Sequence, residues 1–256
     1  MKQLYLGMRL HQALSFSPLF ARCDRADAVF WPGCALLAKA PAVLEATVKT
    51  LRVGEPGIGM CTDCCGQPTK YLFGDTAYRR KKQFIRRQLE LNHVRRIYTA
   101  CPNCLQSLRE ITDVEVLPVW PLLDRHYSPE TPMSGAWALH DPCPCRNMPE
   151  VQNAARSLLR KAGAEIVEFA HCREQTRCCG NRGMLHVRRP EEAAKMRRSR
   201  AREVPAPQVT SYCQGCLGSF TEEGFPTAHL LEILYGKSRR CGWLNRLRTC
   251  LRHSSR

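Results

Sequence analysis

Short apolar runs alternate with longer segments of helical periodicity along the first half of the chain. Residues 28–31 form an apolar run that predicts a β-strand, and residues 95–99 predict a second one. Between them, residues 42–51 and 76–92 carry apolar side chains at the spacing of a helix. Strands that alternate with helices in this way indicate an α/β unit with a mainly parallel sheet.

The same order of patterns returns in the second half. Residues 136–140 and 208–212 predict strands, and residues 151–161 predict a helix. Residues 126–135, between the halves, are rich in Pro, Ser and Gly, which predicts a linker. The sequence therefore predicts two homologous α/β halves, each a small mainly parallel sheet flanked by helices. The predicted parts are a first domain at 27–125, a second domain at 136–236 and a basic tail at 237–256.

Ten of the 16 cysteines belong to a pattern that occurs twice. Each copy has a lone Cys, then two adjacent Cys followed by Gly, and then a CxxC motif. The first copy consists of Cys34, Cys64, Cys65, Cys101 and Cys104, and the second of Cys143, Cys178, Cys179, Cys213 and Cys216. Each lone Cys and each CxxC follows a predicted strand. Because ligands of open α/β sheets bind beyond the carboxyl ends of the strands, we expect the cysteines of each copy at one sheet edge.

The chemistry of these cysteines depends on the compartment and on the number of ligands. A chain of 256 residues can bury a core without disulfides, and no secretory signal or membrane-spanning run is evident, so we expect a cytoplasmic protein with reduced thiols. Thiolates bind zinc or iron-sulfur clusters. Five thiols are one too many for a tetrahedral zinc site, and adjacent cysteines more naturally serve different metal atoms. The repeated pattern therefore favours iron-sulfur clusters over zinc.

The formal net charge of +16 raises the question of nucleic-acid binding. Much of the charge lies on segments with helical periodicity, where basic runs usually form a solvated face. Aromatic residues make up only 7% and are not interleaved with the basic runs, so stacking platforms for bases are not evident. We expect an acidic protein partner rather than a nucleic acid.

Six cysteines lie outside the repeated pattern, and the default interpretation of each is a buried small side chain or a surface thiol. Cys61 and Cys145 are exceptions, because both lie a few residues from predicted ligands and could replace one of them or line a cluster pocket. His140 is expected to fix the loop before Cys143 rather than to bind metal. The others are Cys23, Cys172, Cys241 and Cys250.

These motifs resemble the cysteine-rich CCG domain, present in two tandem copies as in the heterodisulfide reductase B subunit. Related iron-sulfur subunits of lactate-utilisation and anaerobic glycerol-3-phosphate dehydrogenase systems share the pattern. The resemblance covers residues 27–236 and rests on Gly33-Cys34, both CCG pairs, both CxxC motifs and His140-Asp141-Pro142-Cys143.

The resemblance implies that each set of five cysteines holds a noncubane four-iron, four-sulfur cluster. It further implies a disulfide/thiol oxidoreductase subunit. The ferredoxin-type cysteine run of longer relatives is missing, so we expect a partner, a flavoprotein or a ferredoxin-like protein, to exchange electrons with the chain. Two alternatives stay open, namely an electron-transfer subunit without substrate chemistry and, less favoured, a zinc-binding scaffold.

The tail has a pattern of its own. Trp243, Leu244, Leu247 and Leu251 share one helical face, and arginines lie largely elsewhere. Such a basic amphipathic helix would suit peripheral contact with an anionic membrane or with a partner protein, and a frayed tail is the equally weighted alternative.

Overall fold

The computed structural model describes residues 2–38, 41–129, 135–236, 246–247 and 250. Contacts divide the chain into two units, each with its own parallel sheet. The first unit is Met1–Val119 with Ser238–Arg256, and the second is Trp120–Lys237. Two α/β halves are therefore confirmed.

The sheet of the first unit has four parallel strands in the order β2-β1-β3-β4. These strands are β1 (Ala28–Trp31), β2 (Gly59–Met60), β3 (Arg96–Thr99) and β4 (Glu115–Pro118). The helices of this unit are α1 (Lys2–Ser15), α2 (Pro41–Gly54), α3 (Gln67–Leu72), α4 (Gly74–Leu91) and α5 (Pro102–Ile111).

The second unit repeats this arrangement with the order β6-β5-β7-β8, again all parallel. Its strands are β5 (Ala136–His140), β6 (Glu165–Glu168), β7 (Val209–Ser211) and β8 (Thr227–His229). Its helices are α6 (Trp120–His126), α7 (Pro149–Lys161), α8 (Leu185–Arg188), α9 (Pro190–Ala201), α10 (Gln214–Glu222) and α11 (Leu230–Tyr235). Contacts thus group α6 with the second unit, although the sequence pattern places residues 120–125 in the first half.

The strand order explains where a ligand would bind. In each sheet the strand that comes first in the sequence lies beside the third, and the second strand lies on its other side. The connection after the first strand leads to one edge of the sheet and the connection after the third strand leads to the other, which opens a crevice beyond the carboxyl ends of these two neighbouring strands. β1 is buried along its whole length, which explains why it appears in the sequence as a continuous apolar run, and β3 is buried except at its first residue.

Most of the predicted tail, at 237–245, 248–249 and 251–256, lies outside the described residues, and so does Cys241. Arg246 and Cys250 are described and are buried. Within the part of the chain that the structure describes, none of the helices has both the length and the apolar character needed to cross a bilayer.

Candidate metal centres

The first unit brings the cysteines of the first copy together at the carboxyl edge of its sheet. Cys34 follows β1 by three residues, and Cys101 follows β3 and precedes the first turn of α5. Cys104 lies within that first turn, because Pro102 starts α5 immediately after Cys101. The adjacent pair lies between β2 and α3.

The five thiols form one chain of contacts through hydrogen bonds between sulfur atoms. Cys64 contacts Cys34 and Cys65, and Cys65 in turn contacts Cys104, which contacts Cys101. The two CxxC thiols and the lone thiol therefore meet through the adjacent pair. The sequence analysis expected these cysteines at one sheet edge, from the repeated motifs and the predicted strand ends.

Gly33 allows the segment that carries Cys34 to lie close to the CxxC cysteines. Its φ of +86° is in the left-handed region, and a Cβ there would lie 3.0 Å from Cys101 Cβ and 3.4 Å from Cys104 Sγ. A larger residue would therefore enter the space between the lone Cys and the CxxC.

Other parts of the first unit surround the adjacent pair with polar groups. Gln12 of α1 donates a hydrogen bond from Nε2 to Cys64 Sγ at 3.5 Å. Both carboxylate oxygens of Asp63 are buried and have no hydrogen-bond partner among the described residues. Burial, followed by the charge of Cys64, raises the pKa of Asp63 to about 7, and the charge of Arg246 opposes this rise.

Arg246 belongs to the predicted tail but contacts α1. Its Nη1 donates to Ser15 Oγ at 2.7 Å, and its guanidinium lies 5.0 Å from the centre of the Phe20 ring. A segment more than 200 residues away in the sequence thus places a positive charge in the neighbourhood of the first cysteine set, which sequence reasoning did not foresee.

The second unit repeats the cysteine arrangement. Cys178 contacts Cys143 and Cys179, and Cys179 contacts Cys216 with its sulfur at 3.2 Å, while Cys216 contacts Cys213. The order of contacts is the same as in the first unit. Both copies thus form a group of five thiols at equivalent strand ends.

The thiols of each group differ from one another in the direction of their pKa shifts. Hydrogen bonds from both neighbouring thiols hold the pKa of Cys64 and that of Cys178 well below the usual thiol value. The same hydrogen bonds raise the pKa of the lone Cys34 and Cys143, because these thiols act as donors. The first member of each adjacent pair therefore ionises more readily than an ordinary thiol, and in the second group the hydrogen bond from Cys216 lowers the pKa of Cys213 as well. Thiolates rather than thiols ligate metals.

Asp141 fixes the loop that carries Cys143. Its carboxylate accepts two hydrogen bonds from the buried Arg156, at 3.0 and 2.8 Å, and one from Tyr212 at 2.9 Å. Its backbone oxygen accepts from Thr176 Oγ1 at 2.7 Å. These partners were missed from the sequence, although the acidic residue in His-Asp-Pro-Cys was a signal that could have found them.

The ring of His140 lies close to two cysteines of the second group. One of its ring nitrogens, Cys179 Sγ and Cys216 Sγ all lie within 4.8 Å of one another. Burial, followed by the charge of Arg200, lowers the pKa of His140 to about 3, so its ring is neutral at ordinary pH.

The remaining described cysteines do not extend these chains of contacts. Cys61 is hydrogen-bonded to Cys23 rather than to a member of the first group. Cys145 is buried at the end of a short 3-10 helix that begins at Cys143. Cys172 is partly exposed, and Cys250 lies 3.7 Å from the backbone oxygen of Phe20.

Five converging thiols, largely buried and with a thiolate among them, fit a thiophilic metal centre. The buried nitrogen atoms Trp31 Nε1 and His140 Nε2 have no hydrogen-bond partner among the described residues, which also fits a group that accepts hydrogen bonds. Fold and site together define a protein with two α/β units, each with a group of five cysteines that suits a metal centre.

The chain belongs to the family of the cysteine-rich CCG domain. The family pattern matches twice, at residues 28–109 and 137–221. No curated protein matches the chain. The repeated domain and its cysteines support metal or iron-sulfur binding.

Several solved structures resemble the chain in fold. A hypothetical protein from Helicobacter pylori has a TM-score of 0.51 at 9% sequence identity, and the match covers 93% of this chain but 58% of that one. An aspartate racemase from Picrophilus torridus has a TM-score of 0.32 at 14% identity, with 86% of this chain and 97% of that chain covered. A glutamate racemase from Bacillus anthracis also scores 0.32, at 12% identity, over 89% and 81% of the two chains. The first match supports the α/β fold.

Proposed function

We propose that this protein is an iron-sulfur redox protein of the heterodisulfide reductase B type, in which each unit binds one noncubane four-iron, four-sulfur cluster. The observation that carries the proposal is the group of five thiols found in each unit, linked in the same order. A tetrahedral zinc site uses four ligands and needs no fifth thiol. A cluster of several iron atoms gives adjacent cysteines separate atoms to bind.

The proposed reaction is the interconversion of a disulfide and two thiols. Reduction of RS–SR′ consumes two electrons and two protons and yields RSH and R′SH, and a partner protein supplies the electrons. When bound, an iron-sulfur cluster supplies single electrons and an iron atom that can bind a substrate sulfur. The five cysteines of each unit would hold this group at the carboxyl edge of the sheet.

A pocket at the second centre supports substrate chemistry over electron transfer alone. Cys178 is partly exposed and lines a cavity of about 660 Å³. Arg146, Arg177 and Lys195 also line this cavity, with Glu174 as its acidic residue. A predominantly basic wall beside Cys178 favours an anionic thiol or disulfide as substrate.

Metal analysis tests the cluster assignment. We expect anaerobically reconstituted protein to hold about eight iron atoms and eight acid-labile sulfides per chain, from two clusters of four. Cys65→Ser and Cys179→Ser should each lose about half of the iron and half of the acid-labile sulfide. The matched controls are Cys61→Ser and Cys145→Ser, which change buried thiols outside the two groups and should retain the full content. Zinc without acid-labile sulfide would contradict the proposal.

Substrate chemistry is tested at the basic pocket. Lys195→Glu should raise the KM for glutathione disulfide, an anionic probe, about tenfold and leave kcat nearly unchanged, because the charge lies in the pocket wall. Arg198→Glu makes a similar change on the same helix outside the pocket and should leave KM within about twofold. Wild-type protein that holds both clusters but whose EPR signal is unaffected by thiols and disulfides would instead favour an electron-transfer subunit.

A further inference from the structure

One ring nitrogen of His140, Nε2, is buried in the second unit without a hydrogen-bond partner among the described residues. The residue is fully buried at the end of β5. One of its ring nitrogens lies within 4.8 Å of Cys179 Sγ and Cys216 Sγ. A buried polar atom without a partner costs free energy, so a missing acceptor is implied beside the cysteine group.

Arg200 decides which nitrogen of His140 carries the proton. Its Nε and Nη2 lie 3.3 and 3.2 Å from His140 Nδ1. A guanidinium has donors only, so Nδ1 must accept these hydrogen bonds and the proton must lie on Nε2. Double protonation of the ring would set an N–H against two N–H donors and is excluded for the same reason.

Arg200 is itself held in place by its surroundings. Its Nη1 donates to Glu203 at 2.7 Å, and its Nη2 donates to the backbone oxygen of His171 at 2.9 Å. Its guanidinium also lies 4.0 Å from the centre of the Phe169 ring. The guanidinium is therefore anchored on three sides and cannot turn away to let Nδ1 become a donor.

This arrangement excludes His140 as a metal ligand. Ligation through Nε2 would require a free lone pair there, with the proton moved to Nδ1. That proton would then face the two N–H groups of Arg200. His140 is thus built to donate a hydrogen bond from Nε2.

The first unit carries Trp31 at the equivalent position. Each residue ends the first strand of its unit and precedes the lone Cys by three positions, as Trp31 before Cys34 and His140 before Cys143. Trp31 is also fully buried, and its Nε1 has no hydrogen-bond partner among the described residues. An indole offers one N–H and no lone pair for a metal. What the two residues share is a buried aromatic ring with one N–H donor.

We infer that Trp31 and His140 each donate a ring N–H hydrogen bond to a sulfur atom of the cluster in their own unit and thereby raise its reduction potential. This inference rests on the proposed function. Hydrogen bonds to the sulfur atoms of a cluster stabilise its more negative, reduced form, and such contacts are among the protein's means of setting the potential.

Replacement of each side chain by phenylalanine, an aromatic ring without an N–H donor, tests the inference. EPR-monitored redox titration of Trp31→Phe should show a more negative midpoint potential for the first cluster and an unchanged second one. His140→Phe should show a more negative midpoint potential for the second cluster and an unchanged potential for the first. The matched control is Trp137→Phe, the same chemical change at the other end of β5, which should shift neither potential. Iron and sulfide contents should equal those of the wild type in all three variants.

Two outcomes would overturn the inference while leaving the clusters established. One is full loading with both potentials unchanged in Trp31→Phe and His140→Phe. The other is loss of iron from the second centre in His140→Phe alone, which would show that His140 is a ligand. Wild-type protein with zinc and no acid-labile sulfide would overturn the proposed function as well, so the two failures are distinguishable.

A measurement on the unaltered protein covers the case in which a variant fails to fold. Wild-type protein labelled with ¹⁵N in either histidine or tryptophan is reduced and studied by pulsed EPR. A weak coupling to one nitrogen is expected with each label, as for a nitrogen one hydrogen bond away from the cluster. A strong histidine coupling, as for a direct iron-nitrogen bond, or no coupling with either label would overturn the inference.

Discussion

Glu203 accepts hydrogen bonds from three basic side chains in the second unit. Its oxygens lie 3.1 Å from His171 Nδ1, 2.7 Å from Arg177 Nη1 and 2.7 Å from Arg200 Nη1. Burial tends to raise the pKa of Glu203. The hydrogen bond from His171 and the positive charges of Arg200 and Arg177 outweigh that effect, so the pKa lies below its ordinary value.

A lowered pKa makes the stabilisation by Glu203 depend on pH in a defined direction. The stabilisation is complete above the ordinary glutamate pKa of about 4.3 and is lost as the pH falls through the lower folded value. Glu203→Gln should therefore lower the free energy of unfolding of the metal-free protein by about 1.5–3 kcal/mol at pH 7. The difference from wild type should shrink toward pH 3, as measured by urea unfolding at each pH.

The control for this prediction is an exposed ion pair. Glu192 contacts Arg189 at 3.1 Å, and both side chains are more than half exposed. Glu192→Gln should change the free energy of unfolding by less than about 1 kcal/mol at any pH. An equal effect of the two substitutions, or a Glu203→Gln effect that grows as the pH falls, would contradict the assignment.

The lowered pKa of Cys178 should make this residue reactive toward an alkylating reagent at low pH. The pKa of Cys178 is lowered by its thiol neighbours, whereas burial raises the pKa of Cys172, and both side chains are partly exposed. In metal-free protein, iodoacetamide should alkylate Cys178 at nearly the same rate at pH 6 and pH 8. The rate at Cys172 should rise roughly tenfold per pH unit, because its thiolate fraction does so below the pKa. Peptide mass spectrometry at each pH measures both rates, and parallel pH profiles would show that Cys178 is an ordinary thiol.

At the scale of secondary-structure elements, Gly180 connects the second cysteine pair to helix α9. Its φ is +87°, and a Cβ at this position would lie 2.5 Å from the backbone oxygen of Ala193 in α9. Gly180→Ala should therefore destabilise the protein by more than about 1 kcal/mol and reduce the metal content of the second centre, because either the loop or the helix must move. Thermal unfolding and iron analysis measure the two effects.

Gly218 in α10 provides the matched control for Gly180. No atom lies within 4 Å of the position that its Cβ would occupy. Gly218→Ala should be neutral or should stabilise the protein by up to about 1 kcal/mol, because alanine favours a helix interior. Equal tolerance of both substitutions would show that the contact between the cysteine loop and α9 is dispensable.

The sequence predicted some elements of each sheet and not others, for a physical reason. β1, β3, β5 and β7 are the inner strands and are buried along most of their length, and this burial is clearest in the sequence at β1 and β5, whose residues are mainly apolar. The edge strands β2, β4, β6 and β8 were not predicted. β2 has only two residues, and β6 begins and ends with an exposed Glu, so neither carries a clear pattern.

At the scale of the whole molecule, the two ends of the chain meet in the first unit. Arg246 contacts Ser15 at the end of α1, and Cys250 contacts the backbone of Phe20. The tail therefore contributes to the structure near the first centre, beyond the membrane or partner contact that its sequence suggested.

Deletion of residues 238–256 tests this contribution. Hydrogen exchange in residues 2–15 should become faster by about tenfold or more, because a buried hydrogen bond to a charged group is worth about 1.5–3 kcal/mol. Exchange in β7, which belongs to the second unit, should be unchanged and is the internal control. Arg246→Ala and Ser15→Ala, alone and combined, should be non-additive if their contact carries the effect. Unchanged protection of residues 2–15 in the deletion variant would show that the tail does not stabilise α1.

The sequence by itself determined the two α/β halves, the inner strands and the membership of both cysteine groups. These features depend on residues that are close together in the sequence, namely apolar runs, the spacing of repeated motifs and the positions where strands end. Only the tertiary structure showed that Asp141 is held by Arg156, and that Arg200 sets the donor of His140. Likewise, only folding places Arg246 beside α1. Such contacts join residues distant in sequence, so their partners are chosen by packing, which no local pattern records.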